Sequence, residues 1–413
     1  MKQPLLSTRR QSGFTLIELM VSMVIGLLML AALIALMLNV SRNNTEMTKS
    51  NRMIENGRFA LQLLQTDLSH AGYWGGHVPE FDDLSRTTAP TDMPTAVPDP
   101  CLAYADWGVA PNTIPTVTSY VANLIGISMQ SYEIPATVPS PTLSVCASRV
   151  TTPQKSTDVL VVRHAEICVP GEGNCPALNA GNLYFQVARD GDTAPTTAYK
   201  LGDDTSLLNL KKRDGTTAEL RKFISNLYYV RNYSVNPGDG IPTLRRSQFR
   251  LASGVLSHDT AESLIEGVEG FRVEFGIDNI SDAGKNIITG ANADNTISPA
   301  NLHSAAISWA VTTPANTSPI NRGDGSPDGA YKHCTTLVPC TATELMNVVA
   351  VKLYVLVRSD VVTPGYTDTK SYCLTSVCSA ASDRMGPFND GFKRHLFTQT
   401  IRMVNVSSRR ETP

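Results

Sequence analysis

The chain has 413 residues, of which 35 are Lys or Arg and 37 are Asp or Glu. Charged residues make up 17% of the sequence, against roughly 25% in an average soluble domain. This balance excludes a charge-driven disordered chain and argues against general attraction to nucleic acid or to anionic lipid. At ~150 residues per domain, length alone allows two or three domains.

The first predicted element is an apolar run near the N-terminus. From Leu19 to Leu38, twenty residues follow one another without a charge. A helix of that length spans ~30 Å, the hydrocarbon thickness of a bilayer. The run is longer than the core of a secretory signal, and no small-residue cleavage site follows it. It therefore predicts a retained membrane anchor.

The charges that precede the run predict its orientation. Lys2, Arg9 and Arg10 lie on the N-terminal side. By the positive-inside rule, the first residues stay in the cytoplasm and the remainder of the chain crosses the membrane. We expect a single-pass protein with an exported body.

Glu18 stands one position before the apolar run, within the sequence GFTLIELM of residues 13–20. Position alone leaves two interpretations open. Glu18 marks the interfacial start of an ordinary anchor, or it is a functional group, because a carboxylate at the edge of a membrane segment is costly.

Residues 9–20, RRQSGFTLIELM, resemble the prepilin signature of type IV pilins and type II secretion pseudopilins. A short basic leader, Gly13, the aromatic Phe14 and Glu18 all fall in register with the apolar run. The resemblance implies that a prepilin peptidase cuts after Gly13 and methylates Phe14, so that residues 1–13 are a leader. It also implies that Glu18 pairs with such a cleaved amine and fixes the stagger between subunits.

The proposed pair is physically reasonable. Phe14 and Glu18 are four residues apart, and therefore lie on one helix face. In a low-dielectric bundle, an ammonium and a carboxylate attract strongly enough to offset much of their desolvation cost.

Beyond Leu38 the pattern predicts that the helix continues to residue 71 as an amphipathic helix. Gly72, Gly75 and Gly76 supply the stop signal. The apolar stripe consists of Val40, Met47, Ile54, Leu61 and Leu68, widened by Phe59, Leu64 and Ala71.

We therefore expect one helix over residues 14–71, with 14–38 for membrane and assembly contacts and 39–71 packed on a globular domain. The alternative is a coiled-coil dimer seam. Asn44, Asn51 and Arg58 would occupy its second seam position, which disfavours it.

Residues 72–413 are predicted to form one β-rich head. Within it, residues 73–153 carry 11 of the 25 Pro residues. Because Pro removes backbone donors and restricts its neighbours, we expect an irregular excursion with short strands, exposed at the surface.

After this insertion, strand-like runs dominate and make the fold class α+β. Residues 348–357 are nearly all apolar, which predicts a central strand buried on both faces, one of them beneath the helix. Residues 270–277 alternate as a half-exposed strand does. The predicted strands are 158–163, 183–188, 223–230, 270–277, 348–357 and 395–404.

Five blocks resemble, in their order along the chain, the PilW-type minor pilins: residues 158–164, 227–232, 265–279, 348–359 and 392–405. This resemblance implies a pilin-like fold and a non-catalytic subunit that helps to initiate assembly of a type IV pilus near its tip, as used in twitching motility. It implies other minor pilins, the major pilin, prepilin peptidase and a large tip adhesin as partners. The head would lie in the periplasm while the helix is anchored in the inner membrane, and it would be extracellular once the subunit is in the pilus.

All eight Cys lie in the exported part, where an oxidising compartment favours disulfides. Sequence alone allows 105 pairings. The close spacings favour Cys168 with Cys175, Cys334 with Cys340 and Cys373 with Cys378, leaving Cys101 with Cys146. Zinc is the alternative, but no C-x-x-C or matching His spacing is present.

A weak calcium pattern occurs at Asp324, Ser326 and Asp328, although Thr335 replaces the bidentate Glu at its last position. We expect a solvated turn there, and loop residues rather than ion ligands at Asp278, Ser281 and Asp282.

No catalytic motif is present, and the seven His are dispersed, so we expect neither an enzyme nor a cofactor. Two further classes stay open: a J-type pseudopilin of a type II secretion system, and a pilus-displayed module that binds DNA or a surface. Without the three basic residues of the leader, the chain has 32 basic and 37 acidic residues. Nucleic acid is therefore an unfavoured partner.

Overall fold

The computed structural model describes residues 13–83, 90–108, 120–136, 144–188, 199–280 and 323–410. The chain divides into two compact units, Met1–Arg52 and Met53–Pro413. The leader prediction falls mostly on residues 1–12, which lie outside the described residues, as do Ser281 and Asp282.

The longest element is helix α1, Leu16–His70, which has 55 residues. The predicted helix over 14–71 is confirmed to within two residues at each end. The helix ends where the chain reaches Gly72, whose φ of 73° lies in the left-handed region that glycine adopts without strain. The N–H of Gly72 then donates to the carbonyl of Arg163 and turns the chain into the head.

In its described residues, the head is built from antiparallel strands and three short helices. The helices are α2 Tyr120–Gly126, α3 Ala342–Met346 and α4 Val404–Ser407. The strands are β1 Met129–Ile134, β2 Thr157–Ala165, β3 Tyr184–Val187, β4 Tyr199–Gly202, β5 Leu220–Arg231, β6 Thr243–Ala252, β7 Val255–His258, β8 Glu262–Glu266, β9 Val268–Ile277, β10 Lys332–His333, β11 Val348–Arg358, β12 Tyr372–Cys373, β13 Arg384–Met385 and β14 Arg394–Arg402.

These strands form two main sheets. The larger has eight strands in the order β1-β2-β5-β3-β4, with β6 beside β5 and pairing also with β7 and β8. The smaller has four strands in the order β10-β9-β11-β14, and β12 pairs with β13 separately. All six strands predicted from the sequence are present, so the α+β class is confirmed.

The main core lies where residues 53–70 of α1 cover both sheets. Ala60, Leu64 and Leu68 are fully buried against apolar side chains that include Leu160 and Val351. Burying each such Leu contributes about 2 kcal/mol. Strand β11 is apolar on both faces, as predicted, because this core covers one face and a second cluster with Tyr354 and Leu356 covers the other.

The predicted stripe on α1 is partly wrong. Val40, Met47 and Phe59 are at least half exposed. The buried stripe instead includes Gly57 and Ala60, which a search for large apolar residues passes over.

The prediction that residues 270–277 form a half-exposed strand is wrong, because β9 is buried along its whole length. Its polar side chains are paired inside the head. Arg272 lies 3.3 Å from a carboxylate oxygen of Glu133, and Glu274 accepts hydrogen bonds from the hydroxyls of Tyr354 and Ser376.

The segment 73–153 is more integrated than the sequence predicts. Its β1 is the edge strand of the larger sheet, in register with β2 from Met129 opposite Val162 onward. Trp74, Phe81 and Trp107 are almost completely buried. The expectation of an exposed elaboration is therefore wrong for the described part of this segment.

Candidate functional site

The N-terminal part of α1 presents an unbroken apolar surface. Among the described residues, α1 contains the one stretch long and apolar enough to cross a membrane, and none of that stretch is buried. Phe14, Leu16 and Ile17 are all more than 70% exposed. An apolar helix surface of this extent requires lipid or other apolar helices around it.

The helix begins with a reciprocal cap. The backbone N–H and the hydroxyl of Thr15 donate to Oε2 of Glu18, at 3.0 and 2.9 Å, and the N–H of Glu18 donates back to the Thr15 hydroxyl at 3.3 Å. This arrangement is a capping box, which a Thr-x-x-Glu spacing permits and which the sequence analysis did not identify. It satisfies N–H groups that the first turn leaves without an intrahelical partner.

Only one oxygen of Glu18 takes part in the cap. Oε1 accepts no hydrogen bond from the described residues, and the side chain is exposed. Glu18 can therefore cap its own helix and bind an external cation with the same carboxylate.

The second polar side chain of the apolar stretch, that of Ser22, is hydrogen-bonded within its own helix. The hydroxyl of Ser22 donates to the carbonyl of Leu19 at 2.9 Å. A Ser that bonds to its own helix is tolerated in an apolar environment. Glu18 is thus the charged group of this surface, and its carboxylate retains an oxygen without a partner among the described residues.

A largely buried carboxylate, that of Asp67, fixes α1 on the larger sheet. Asp67 accepts hydrogen bonds from the ring of His164 at 2.9 Å, from the amide of Asn226 at 3.0 Å and from the hydroxyl of Tyr228 at 3.0 Å. Burial, followed by the Asp67 charge, raises the pKa of Tyr228 well above its ordinary value, so that the hydroxyl remains a donor. No sequence pattern identifies this cluster, because the partners of Asp67 lie 97 or more residues away along the chain.

Helix α1 also packs closely against the smaller sheet. Gly57 faces the ring of Phe397 on β14, and a Cβ at residue 57 would overlap that ring. About two turns further along α1, the amide of Gln399 donates to Gln65 at 2.7 Å. Residues 53–70 are therefore held to both sheets.

Four disulfides staple the head, joining Cys101 to Cys146, Cys168 to Cys175, Cys334 to Cys340 and Cys373 to Cys378. This is the pairing that the spacing predicts. Three bonds close short loops, whereas the first joins residues 45 positions apart.

One converging group of metal-ligand type occurs among the described residues, formed by Asp99, Cys101 and Cys146. The two sulfurs are joined to each other. They therefore offer no thiolate to a metal. Asp99 instead accepts a hydrogen bond from the N–H of Cys101 at 3.0 Å.

The residues of the calcium pattern stabilise a turn. Asp324 accepts from the N–H of Ser326 at 2.8 Å, and Asp328 accepts from the N–H groups of Asn279 and Ile280 at 2.8 and 2.7 Å. Nowhere in the described ranges do Asp324 and Asp328 join a third ligand at metal-binding distance. The solvated turn therefore stays the prediction, and calcium stays its disfavoured alternative.

A serine–histidine arrangement of catalytic type is closed to substrate. The ring of His258 lies 3.3 Å from the hydroxyl of Ser225 and 3.2 Å from that of Ser247. All three side chains are buried, and burial lowers the pKa of His258 to about 3. A nucleophile–base pair needs access to its substrate, and this one has none.

Two family models match the chain. The model described as type IV pilus-assembly protein W matches residues 227–405, and the prokaryotic N-terminal methylation motif matches residues 8–34. No curated protein and no solved structure matches. The two matches confirm the resemblance to PilW-type minor pilins. The methylation motif and the apolar helix fit a pilin-like protein anchored in the inner membrane.

Proposed function

We propose that the chain is a non-catalytic minor pilin subunit that helps to initiate assembly of a type IV pilus and lies near its tip. The observation that carries the proposal is the exposed apolar half of α1 with one unused acceptor, on Glu18, at its beginning. A lipid anchor needs the apolar surface alone. The additional carboxylate fits a helix that later packs among other helices carrying a cation.

Processing after Gly13 and methylation of Phe14 belong to the proposal. Removal of residues 1–13 would place the new α-amine at Phe14, directly before the cap residue Thr15. In a bundle of such helices, the amine of one subunit would bind the open Oε1 of Glu18 on a neighbour. Each charge would then be paired within a low-dielectric environment, which offsets its desolvation.

The proposed function also implies where the protein is located before and after assembly. The inner membrane holds the precursor, the head with its four disulfides lies in the oxidising periplasm, and the assembled subunit becomes extracellular. The partners are other minor pilins, the major pilin and prepilin peptidase, and a large tip adhesin beyond them.

Two measurements test the proposal. Mass spectrometry of the chain recovered from sheared pili should find methylated Phe14 as its first residue. Deletion of the gene should abolish surface pili and leave exoprotein secretion unchanged. Loss of secretion with normal pili would contradict the proposal and favour a secretion pseudopilin.

A further inference from the structure

One arginine in the interior of the head has no carboxylate partner. The side chains of Arg272, Arg394 and Arg410 are at most 2% exposed, and each lies near carboxylate oxygens, at 3.3, 3.0 and 3.7 Å in turn. Arg163 on β2 is as deeply buried, with none of its surface exposed. Within the described ranges of the chain, however, Arg163 forms no ion pair, and its bonds go to neutral groups. Its charge is therefore unbalanced.

The guanidinium of Arg163 is hydrogen-bonded through one of its three nitrogens. Nη1 donates to the carbonyl of Ile127 at 3.0 Å and to the side-chain oxygen of Gln130 at 2.8 Å. Nε and Nη2 are buried and donate to no group of the described residues. These two nitrogens form one edge of the planar group, and their N–H bonds point in the same direction. This is an edge that binds two oxygens of a carboxylate or phosphate at once.

The polar groups that act on Arg163 do not neutralise it. Tyr120, Tyr132 and Asp99 interact with it electrostatically. Burial raises the pKa of both tyrosines, so their hydroxyls stay uncharged. Asp99 directs Oδ1 to the N–H of Cys101 at 3.0 Å. Because arginine keeps its proton in proteins and an unpaired buried charge is strongly destabilising, an anion at the Nε and Nη2 edge would stabilise the head.

A serine and a histidine lie on the same side of the larger sheet. Ser225 on β5 is directly opposite Arg163 in register, and opposite residues of antiparallel strands share a face with their Cβ atoms about 5 Å apart. The Ser225 hydroxyl is 3.3 Å from Nε2 of His258. Burial lowers the pKa of His258 to about 3, and the charge of Arg163 adds to this effect. All three residues are at most 3% exposed, so a ligand beside them must be small.

We propose that the Nε and Nη2 edge of Arg163 binds a small oxyanion as a structural ligand of the head. The two parallel N–H groups determine the class of the ligand: an anion that presents two oxygens on one side, as carboxylates and phosphate do. The enclosure of Arg163, Ser225 and His258 limits its size to that of a free ion of a few atoms. This inference does not depend on the proposed function, because it rests on the interior of the head alone.

The test uses the full-length chain in an uncharged detergent at neutral pH, with sodium formate as the probe. Formate replaces HEPES at constant ionic strength, because HEPES is too large for an enclosed site. Arg163→Met removes the charge and both donors while keeping most of the length of the side chain. Arg213→Met is the matched control, since Arg213 is exposed and its loss changes the net charge by the same amount.

Formate should raise the unfolding temperature of the wild type and of Arg213→Met, by roughly 2 °C for each tenfold increase in concentration above the dissociation constant. It should not raise that of Arg163→Met. Equilibrium dialysis of the wild type with labelled formate should show saturation at one ion per chain.

If Arg163→Met does not fold, Arg163→Lys replaces it, because Lys keeps the charge without the two-nitrogen edge and should respond much less than the wild type. Equal stabilisation of the wild type, the Arg163 variant and Arg213→Met would indicate an adventitious ion only. That result, or the absence of saturable binding to the wild type, would overturn the proposal.

Discussion

Thr15 and Glu18 are hydrogen-bonded in both directions at the first turn of α1, and they use one carboxylate oxygen to do so. The cap places the acidic group at the helix N-terminus, where the helix dipole favours a negative charge. The same arrangement leaves the second oxygen directed at whatever surrounds the helix. In the proposed function, Glu18 would serve both helix initiation and subunit contact.

Asp67→Ala should reduce the free energy of unfolding by about 3 kcal/mol, because His164, Asn226 and Tyr228 would all lose a buried acceptor. Chemical denaturation of the full chain in detergent measures this. Glu262→Ala is the control. It removes an ion pair with Arg246 that is half exposed on the Glu262 side, and should cost less than about 1 kcal/mol. Equal losses in the two variants would contradict the anchoring role of Asp67.

Gly57→Ala should destabilise the head by about 1–3 kcal/mol, although Ala is normally the better helix residue. The reason is the overlap of the new methyl group with the ring of Phe397. Phe397→Leu in the same chain should recover part of the loss by making room. Thermal unfolding of the two single variants and the double variant gives the coupling. An additive result would show that residues 57 and 397 do not touch.

Removal of the Cys101–Cys146 disulfide by paired Ala substitutions should cost about 4 kcal/mol, and removal of Cys373–Cys378 about 2 kcal/mol. The difference arises because the first bond closes a loop of 45 residues and the second a loop of 5. Cys146 and Cys101 are also buried. Unfolding midpoints of the two double variants should therefore differ in that order. The reverse order would argue that burial and loop length do not control the effect.

Stability should depend on pH through Asp278. Burial raises the pKa of this carboxyl to about 7, although Arg410 lies 3.7 Å away and opposes the change. Between about pH 4 and pH 7 the folded chain therefore holds a proton that the unfolded chain releases, so this group makes the free energy of unfolding fall as pH rises. Asp278→Asn should remove that contribution and be more stable than the wild type at pH 8. Parallel profiles for the two proteins would contradict it.

The elements predicted correctly from the sequence share one property. Helix α1 and the six predicted strands each show an apolar pattern, or an enrichment in Val, Tyr and Phe, within their own sequence. Strand β6 was not predicted, because many residues of its sequence TLRRSQFRLA are polar. In the structure those residues have partners in β8 and in other elements. Strand β1 was not predicted, because the segment around it is rich in Pro.

The residues of the candidate site also fall into two groups, those that the sequence identifies and those that it does not. Glu18 was found because a charge beside an apolar run is visible in sequence. Asp67 was missed because a carboxylate on an amphipathic helix looks like any solvated residue until its partners are known. The burial of Arg272 and Glu274 was missed for the same reason, since Glu133 and Ser376 lie about 100 or more residues away.

The most direct test of the account compares Glu18→Ala with Thr15→Ala. Each variant loses one half of the reciprocal cap, because the backbone N–H of residue 18 still donates to Thr15 in Glu18→Ala and the backbone N–H of residue 15 still donates to Glu18 in Thr15→Ala. The cost of each is about 1 kcal/mol, but only Glu18→Ala loses the carboxylate. Immunoblots of membranes and sheared pili should find Glu18→Ala inserted in the membrane and absent from pili, and Thr15→Ala present in both. Recovery of Glu18→Ala in pili at the wild-type level would contradict the assignment of Glu18 to subunit assembly.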